Sequence, residues 1–354
     1  MPRRFRSIGP SQIAASLTGL ALVVAVTFSS SAQNTQTVVI SEKGISGIEG
    51  PAVDADGNLY FVSRKGKADG KILQLKPGAK KSEVYTPLEK GSLGNGIRFD
   101  KDGRMYVADF NGNSVLVFEK GKKKSSAYFS TKQAKKGAPA FKQPNDIAMG
   151  NDGTVYASDP MFGAGTGRIW RITRDASDKG QGEIMTSEPR SKMGVTNGLD
   201  LSPDGKTLYV SESSTREVWA YRIDGVKLVP LGSKALKTFD GPRNSELDGL
   251  RTDASGRIFV TRPRNQLEDG EPPCAGPDDP RCIGTIAILK PNGELEREVR
   301  TVGRKPSNLT FGGPDGKTVF VTQVDGGFIE TFTVDTPGRE PCPAQKSATV
   351  CAPP

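Results

Sequence analysis

The 354-residue chain contains no histidine. That removes the Ser-His-Asp triad, the Cys-His dyad and every His-ligated zinc or haem site at once. Chemistry here must run on carboxylates, amides, hydroxyls, Lys, Arg or a metal held by oxygen. Aromatic residues make up only 7% of the chain, and none interleaves with its densest basic run, Lys120, Lys122, Lys123 and Lys124. A single-strand nucleic-acid platform needs that interleaving. The run therefore reads as a solvated hairpin tip, and no nucleic-acid partner is expected. Beyond the N-terminus no segment approaches the roughly 18 apolar residues a spanning helix requires.

The N-terminus is read as an address. Arg3, Arg4 and Arg6 precede an apolar run from Ile13 to Phe28, followed by Ser29-Ser30-Ser31-Ala32. A basic start, a short apolar stretch and a small-residue exit are the pattern of a signal peptide; an uncleaved anchor is the competing reading. Export to the periplasm or the medium is expected, with no membrane attachment after removal. Losing three arginines lowers the formal charge from +9 to +6. The four cysteines, Cys274, Cys282, Cys342 and Cys351, all lie in the last quarter. An even count in an exported chain suggests disulfides. Of the three possible pairings, Cys274–Cys282 with Cys342–Cys351 needs the least chain organisation.

Against these scarcities stand 42 glycines and one sentence written six times. GPAVDADGNLYFVS begins at Gly50, NGIRFDKDGRMYVAD at Asn95 and NDIAMGNDGTVYASD at Asn145. NGLDLSPDGKTLYVSES follows at Asn197, DGLRTDASGRIFVT at Asp248 and NLTFGGPDGKTVFVTQ at Asn308. Each copy reads as strand, tight turn, strand. The turn carries Asp-Gly five times and Ser255-Gly256 once, because glycine accepts the positive φ of such turns. Further strand-like stretches begin at Lys71, Ser114, Arg168, Glu217, Thr285 and Phe328. About four strands per unit and six units predict an all-β, six-bladed β-propeller. The last unit has three strands of its own, and Thr37–Ile40 supplies the fourth and closes the ring. The expected organisation is a signal peptide over 1–32, a propeller over 33–336 and a Pro-rich tail with a cysteine pair over 337–354.

In such a ring, the residues opening each inner strand meet the second-to-third-strand loops above the channel. The openers are Glu49, Asn95, Asn145, Asn197, Asp248 and Ser307, and every one is an oxygen donor. Taken singly, such residues cap turns. Six of them at equivalent positions on one axis point to an oxygen-ligated cation, Ca²⁺ first and other divalent ions after it. Asn95 and Ser307 are the weakest members and are read as substrate contacts or loop partners. The top loops are Ser63–Lys71, Asp109–Asn113, Asp159–Gly167 and Glu212–Arg216. The longest, from Arg262 to Cys282, is read as a rim or lid with Arg262 as a substrate contact.

EGP at Glu49, PNDIAMGNDGTVYASD from Pro144, TNGLDLSPDGKTLYVSES from Thr196 and DGLRTDASGRIFV from Asp248 together resemble one family. It is the senescence marker protein/gluconolactonase/luciferin-regenerating-enzyme-like family of calcium-dependent propeller hydrolases, with relatives in diisopropylfluorophosphatase and the paraoxonases. The resemblance implies that Glu49, Asn145, Asn197 and Asp248 hold a catalytic Ca²⁺. It also implies that Asp248 serves as base or nucleophile in opening a lactone or cleaving an ester, a small-molecule substrate. Two departures touch the sugar pocket: Ala52-Val53 stands where sugar lactonases commonly carry Trp, and Gln143 where they commonly carry Arg. Gln143 is accordingly a candidate substrate-binding residue. The competing function is a non-catalytic, calcium-stabilised propeller that binds a protein or glycan. Oligomeric state is not legible.

Overall fold

The six repeats fold as six hairpins, and their turns follow from glycine. Gly57, Gly103, Gly153, Gly205, Gly256 and Gly316 all adopt positive φ, between 70° and 84°, a region that side-chain-bearing residues enter only at a cost. In the computed structural model the described residues are 33–34, 37–41, 45–65, 69–131, 139–163, 166–188, 190, 192–241, 245–264, 272, 275, 279–324 and 327–340. The third strand of each blade coincides with one of the six further stretches read from the sequence, and a fourth strand lies outside it.

Blade 1 comprises Glu49–Val53, Leu59–Lys65, Asp69–Leu75 and Glu83–Pro87. Blade 2 comprises Gly94–Phe99, Met105–Asp109, Ser114–Phe118 and Ser125–Ser130. Blade 3 comprises Ile147–Met149, Val155–Asp159, Arg168–Arg174 and Gly180–Ile184. Blade 4 is built on Thr196–Leu201, Thr207–Glu212, Glu217–Asp224 and Lys227–Pro230, with short additions at Thr186–Ser187 and Lys237–Thr238. Blade 5 comprises Leu250–Thr252, Ile258–Arg262, Thr285–Leu289 and Leu295–Arg300, with Gln33–Asn34 parallel to its outer strand. Blade 6 has Pro306–Gly312, Thr318–Gln323 and Phe328–Thr333; Thr37–Ser41 pairs antiparallel with the last of these. The N-terminal strand thus closes the ring as the repeat count requires. The lysine run lies exposed between the third and fourth strands of blade 2.

Six apolar clusters hold the blades together, one at each seam between neighbours. Tyr106, Val115, Phe141 and Trp170 join blades 2 and 3. Ile48, Leu59, Phe61 and Ile329 seal the seam where the chain's two ends meet. Burial at every seam makes each blade's stability depend on both neighbours.

The channel beneath the ring of strand openers is filled by charge. Asp146 pairs with Arg251 at 2.7 Å and with Arg98 at 3.5 Å, all three buried. Arg98 also pairs with Glu340 at 2.7 Å, and Arg339 with Asp200 at 2.5 Å. Arg339 and Glu340 arrive from beyond the last blade. That segment is anchored by Ala254 N–H donating to Pro337 O at 2.9 Å and Arg339 N–H donating to Thr252 O at 3.1 Å. Three guanidinium groups thus face three carboxylates. Cys342 and Cys351 lie outside the described residues.

Removing one partner of a buried ion pair leaves the other desolvated and uncompensated. Arg339→Met is therefore expected to cost about 3 kcal/mol in chemical denaturation. The double variant Asp200→Asn/Arg339→Met should recover part of that loss, and equal stabilities for single variant and wild type would refute the assignment.

Candidate metal and substrate site

Four of the six inner strands start with a break in pairing. The register shifts between Glu49 and Ala52, Gly94 and Ile97, Thr196 and Leu199, and Pro306 and Asn308. The bulge leaves Asn95, Asn197 and Ser307 without a ladder partner, whereas Glu49 still pairs with Val62 and the bulge follows it. The next residue then meets the neighbouring inner strand at very close range. A Cβ on Gly50 would sit 1.8 Å from Asn95 O, and one on Gly198 would sit 2.2 Å from Leu250 N. Only glycine fits at those two positions, which explains why Glu49 and Asn197 are each followed by one. Blades 3 and 6 carry Asp146 and Asn308 at the equivalent place, and there the side chains fill the channel below.

A cavity of about 210 Å³ gathers Glu49, Asn95, Asn145, Asn197 and Asp248. Asn197 Nδ2 donates to Ser213 Oγ at 3.1 Å, and Ser213 Oγ donates to Leu247 O at 2.7 Å. This fixes the amide, whose Oδ1 is buried with no hydrogen-bond partner, as is Asn95 Oδ1. Glu49 is buried and accepts from Gly50 N–H at 3.3 Å. Asp248 is only partly covered. Its backbone is pinned by Ser211 Oγ donating to Asp248 O at 2.6 Å and by its own N–H donating to Thr261 O at 3.1 Å.

Burial pushes the Glu49 carboxyl above its usual range, with Arg64 and the Gly50 N–H opposing. Burial, and then the charge of Glu49, push Asp248 well above its own, with Arg64 again opposing. Two like-charged acids and two orphaned amide oxygens face one cavity, with Arg64 in its wall. The donors are all oxygen, so the set suits a hard cation with flexible coordination. No group of three or more His, Cys, Asp or Glu fit for a metal occurs among the described residues; here amides make up the majority of the donors.

The cavity wall comes from the top loops. Arg64, Phe110, Phe162 and Ser213 each derive from a different one of the four shorter loops, and Pro263 from the long one. Three residues read as substrate contacts stand elsewhere. Ser307 is fully buried, with its hydroxyl donating to Ile48 O at 3.0 Å, and it supports Glu49 from behind. Gln143 Oε1 accepts from Phe162 N–H at 2.9 Å, so it braces the wall rather than lining it. Arg262 meets Glu298 of its own blade and the Phe239 ring, 4.5 Å away. Cys282 ends the Pro280–Cys282 turn and is buried, whereas Cys274 lies outside the described residues. Arg64, Phe110, Phe162 and Glu246 were not singled out from the sequence. Membership of the top loops was the signal that Arg64, Phe110 and Phe162 offered, and Glu246 lies outside those loops.

The raised acids have a measurable consequence in protein stripped of divalent ions. A folded-state pKa above the unfolded one gives stability that is present at low pH and lost as pH rises through the folded value. Asp248→Asn cannot ionise. Its melting temperature should therefore gain on wild type as pH rises from about 5 to about 8, and a difference independent of pH would contradict the repulsive pair.

The family pattern of the SMP-30/Gluconolactonase/LRE-like region matches residues 47–325. The chain is similar to the gluconolactonase of Zymomonas mobilis, 25% identical over 298 residues, which cover 77% of this chain and 75% of that protein. It is similar to the diisopropyl-fluorophosphatase of Loligo vulgaris, 26% identical over 321 residues, 84% of this chain and 91% of that one. The solved structure of the calcium-binding protein regucalcin from Agrobacterium tumefaciens superposes with a TM-score of 0.64 at 16% identity, covering 86% of this chain and 96% of that one. At that identity the likeness concerns the fold alone. The matched region contains every residue of the cavity floor, and the chain belongs to the SMP-30/gluconolactonase/LRE-like family.

Proposed function

We propose that the protein is an exported, calcium-dependent hydrolase that opens a lactone or cleaves a carboxylic ester. The observation that carries this reading is the cavity in which Glu49, Asp248 and two orphaned amide oxygens converge without a positive partner on the floor. Membership of the family and the names of the two relatives, a gluconolactonase and a fluorophosphatase, support hydrolysis. A Ca²⁺ held by Glu49, Asn145, Asn197 and Asp248 would supply Lewis-acid polarisation of the substrate carbonyl and would keep both carboxylates ionised.

The residues themselves divide the remaining work. Glu49 is buried and accepts from the Gly50 N–H, so it is a fixed ligand. Asp248 keeps surface in the cavity and can reach a water molecule. As general base it takes one proton while the water oxygen bonds to the carbonyl carbon. Cleavage of the C–O bond then returns that proton to the leaving oxygen. An Asp beside a cation is a weak base, which favours ring strain or a good leaving group in the substrate.

Export rests on the N-terminal signal, with cleavage after Ala32; Gln33–Asn34 then opens the mature chain as a strand of blade 5. The pairings Cys274–Cys282 and Cys342–Cys351 belong to the same proposal.

The test is hydrolysis of an aldonolactone, an aliphatic lactone, an aryl ester and a phosphotriester by chelator-stripped mature protein, before and after Ca²⁺ is restored. Turnover should return with Ca²⁺, and Asp248→Asn should lose roughly a hundredfold or more with the fold intact. Activity indifferent to Ca²⁺ or to Asp248→Asn would sink the mechanism. No turnover on any substrate, with Ca²⁺ still raising the melting temperature, would put the non-catalytic binding module in its place.

A further inference from the structure

Arg64, at the end of the second strand of blade 1, lines the same cavity as Glu49 and Asp248. Its Nε and Nη2 are buried and have no hydrogen-bond partner among the described residues. A guanidinium carries five donors in a rigid fork that matches a carboxylate or phosphate. Leaving two of them dry and unpaired is costly, and a ligand oxyanion would satisfy both.

The surroundings narrow the ligand further. The Arg64 guanidinium carbon lies 5.6 Å from the centre of the Phe110 ring, and Phe110 stands 6.3 Å from Phe162. Leu247 and Pro263 complete an apolar wall, and Phe162 is 47% exposed. Gln143, two residues before the floor residue Asn145, spends its carbonyl on Phe162 N–H. The wall therefore offers few partners for the hydroxyls of a sugar. The charges agree. A divalent ion would match the two floor carboxylates, and Glu246, the remaining acid of the cavity, has Arg216 as its counter-charge. Arg64 is then left without one.

Resting on the hydrolase reading above, we propose that Arg64 selects the substrate: an anionic lactone or ester whose oxyanion group, a carboxylate or a phosphonate, is carried on an otherwise apolar body. Arg64 binds that group while the ring or ester carbonyl lies over the floor. Phe110 and Phe162 pack against the body.

The test compares γ-butyrolactone-γ-carboxylate with γ-valerolactone, which carries a methyl where the other carries the carboxylate. The calcium-loaded protein should prefer the anion in kcat/KM. Arg64→Met should cut that preference roughly tenfold to a hundredfold, mainly through KM. Arg64→Lys should restore part of it, because it keeps the charge and loses the fork.

A second readout needs no turnover: calorimetric binding of benzoate and phenylphosphonate, with benzyl alcohol as the neutral control. Wild type should bind an anion and not the alcohol, and Arg64→Met should lose that binding. Which of the two anions binds tighter separates carboxylate from phosphonate substrates. An unchanged preference in Arg64→Met, or anion binding that survives it, overturns the inference while leaving the hydrolase intact. Anion binding that needs Arg64, in a protein that hydrolyses neither these lactones nor any substrate of the panel above, overturns the hydrolase reading alone. Should Arg64→Met not fold, wild-type binding of benzoate against benzyl alcohol and the Arg64→Lys ratio decide, and equal binding of the two ligands rejects the proposal.

Discussion

Six strands converge on one axis at a distance that leaves no room for a Cβ beside several of them. At Gly50 a side chain would collide with the backbone of blade 2, and at Gly198 with that of blade 5. The rest of the molecule is arranged around that crowding. The bulge lifts Asn197 out of the ladder just before Gly198, whereas Glu49 stays paired with Val62 and the bulge falls on Gly50 after it; both side chains line the cavity. Close approach of backbones therefore builds the ring of carboxylates and amides, and the same approach makes it rigid.

Where the crowding relaxes, side chains enter and must be neutralised. Asp146 and Asn308 occupy the position that is glycine in the other blades, and Arg98 and Arg251 come in below to meet them. In a low-dielectric interior unpaired charges are not tolerated, and the three acids of the lower channel meet three arginines, one of them brought by the segment after the last blade. The upper ring is arranged differently. It keeps Glu49 and Asp248 together on the floor, and among the described residues Arg64 moderates both from the wall. The lower channel is electrically closed, and the upper cavity is left open to a cation.

Much of the architecture was legible because it repeats. The Asp-Gly turns, the inner and middle strands and the closing strand Thr37–Ser41 are written in local patterns of apolar residues and glycine. The outer strands, such as Gly180–Ile184 and Ser125–Ser130, were not read. Both are only partly buried, so their residues carry little apolar alternation. Within the site, Glu49, Asn95, Asn145, Asn197 and Asp248 were found by their equivalence. Ser307 shares that equivalence, yet its hydroxyl turns back to Ile48 and leaves the cavity to its neighbours. Arg262 was chosen for its place in the longest loop; its guanidinium meets Glu298 of its own blade and the Phe239 ring that follows blade 4.

By itself the sequence determined what depends on short spacing: an all-β ring of six units, its closure, and the oxygen-donating residue that opens each inner strand. These follow from turn chemistry and strand periodicity, which act over a few residues. Tertiary structure alone decided which openers share a cavity, which charges annul each other and which cation is left unpaired. Asp146 and Arg251 lie 105 residues apart in the chain and 2.7 Å apart in the fold, and Arg64 reaches Phe110 only because neighbouring blades place their loops side by side. Contacts of that kind depend on the closing of the ring, and no local pattern in the chain encodes them.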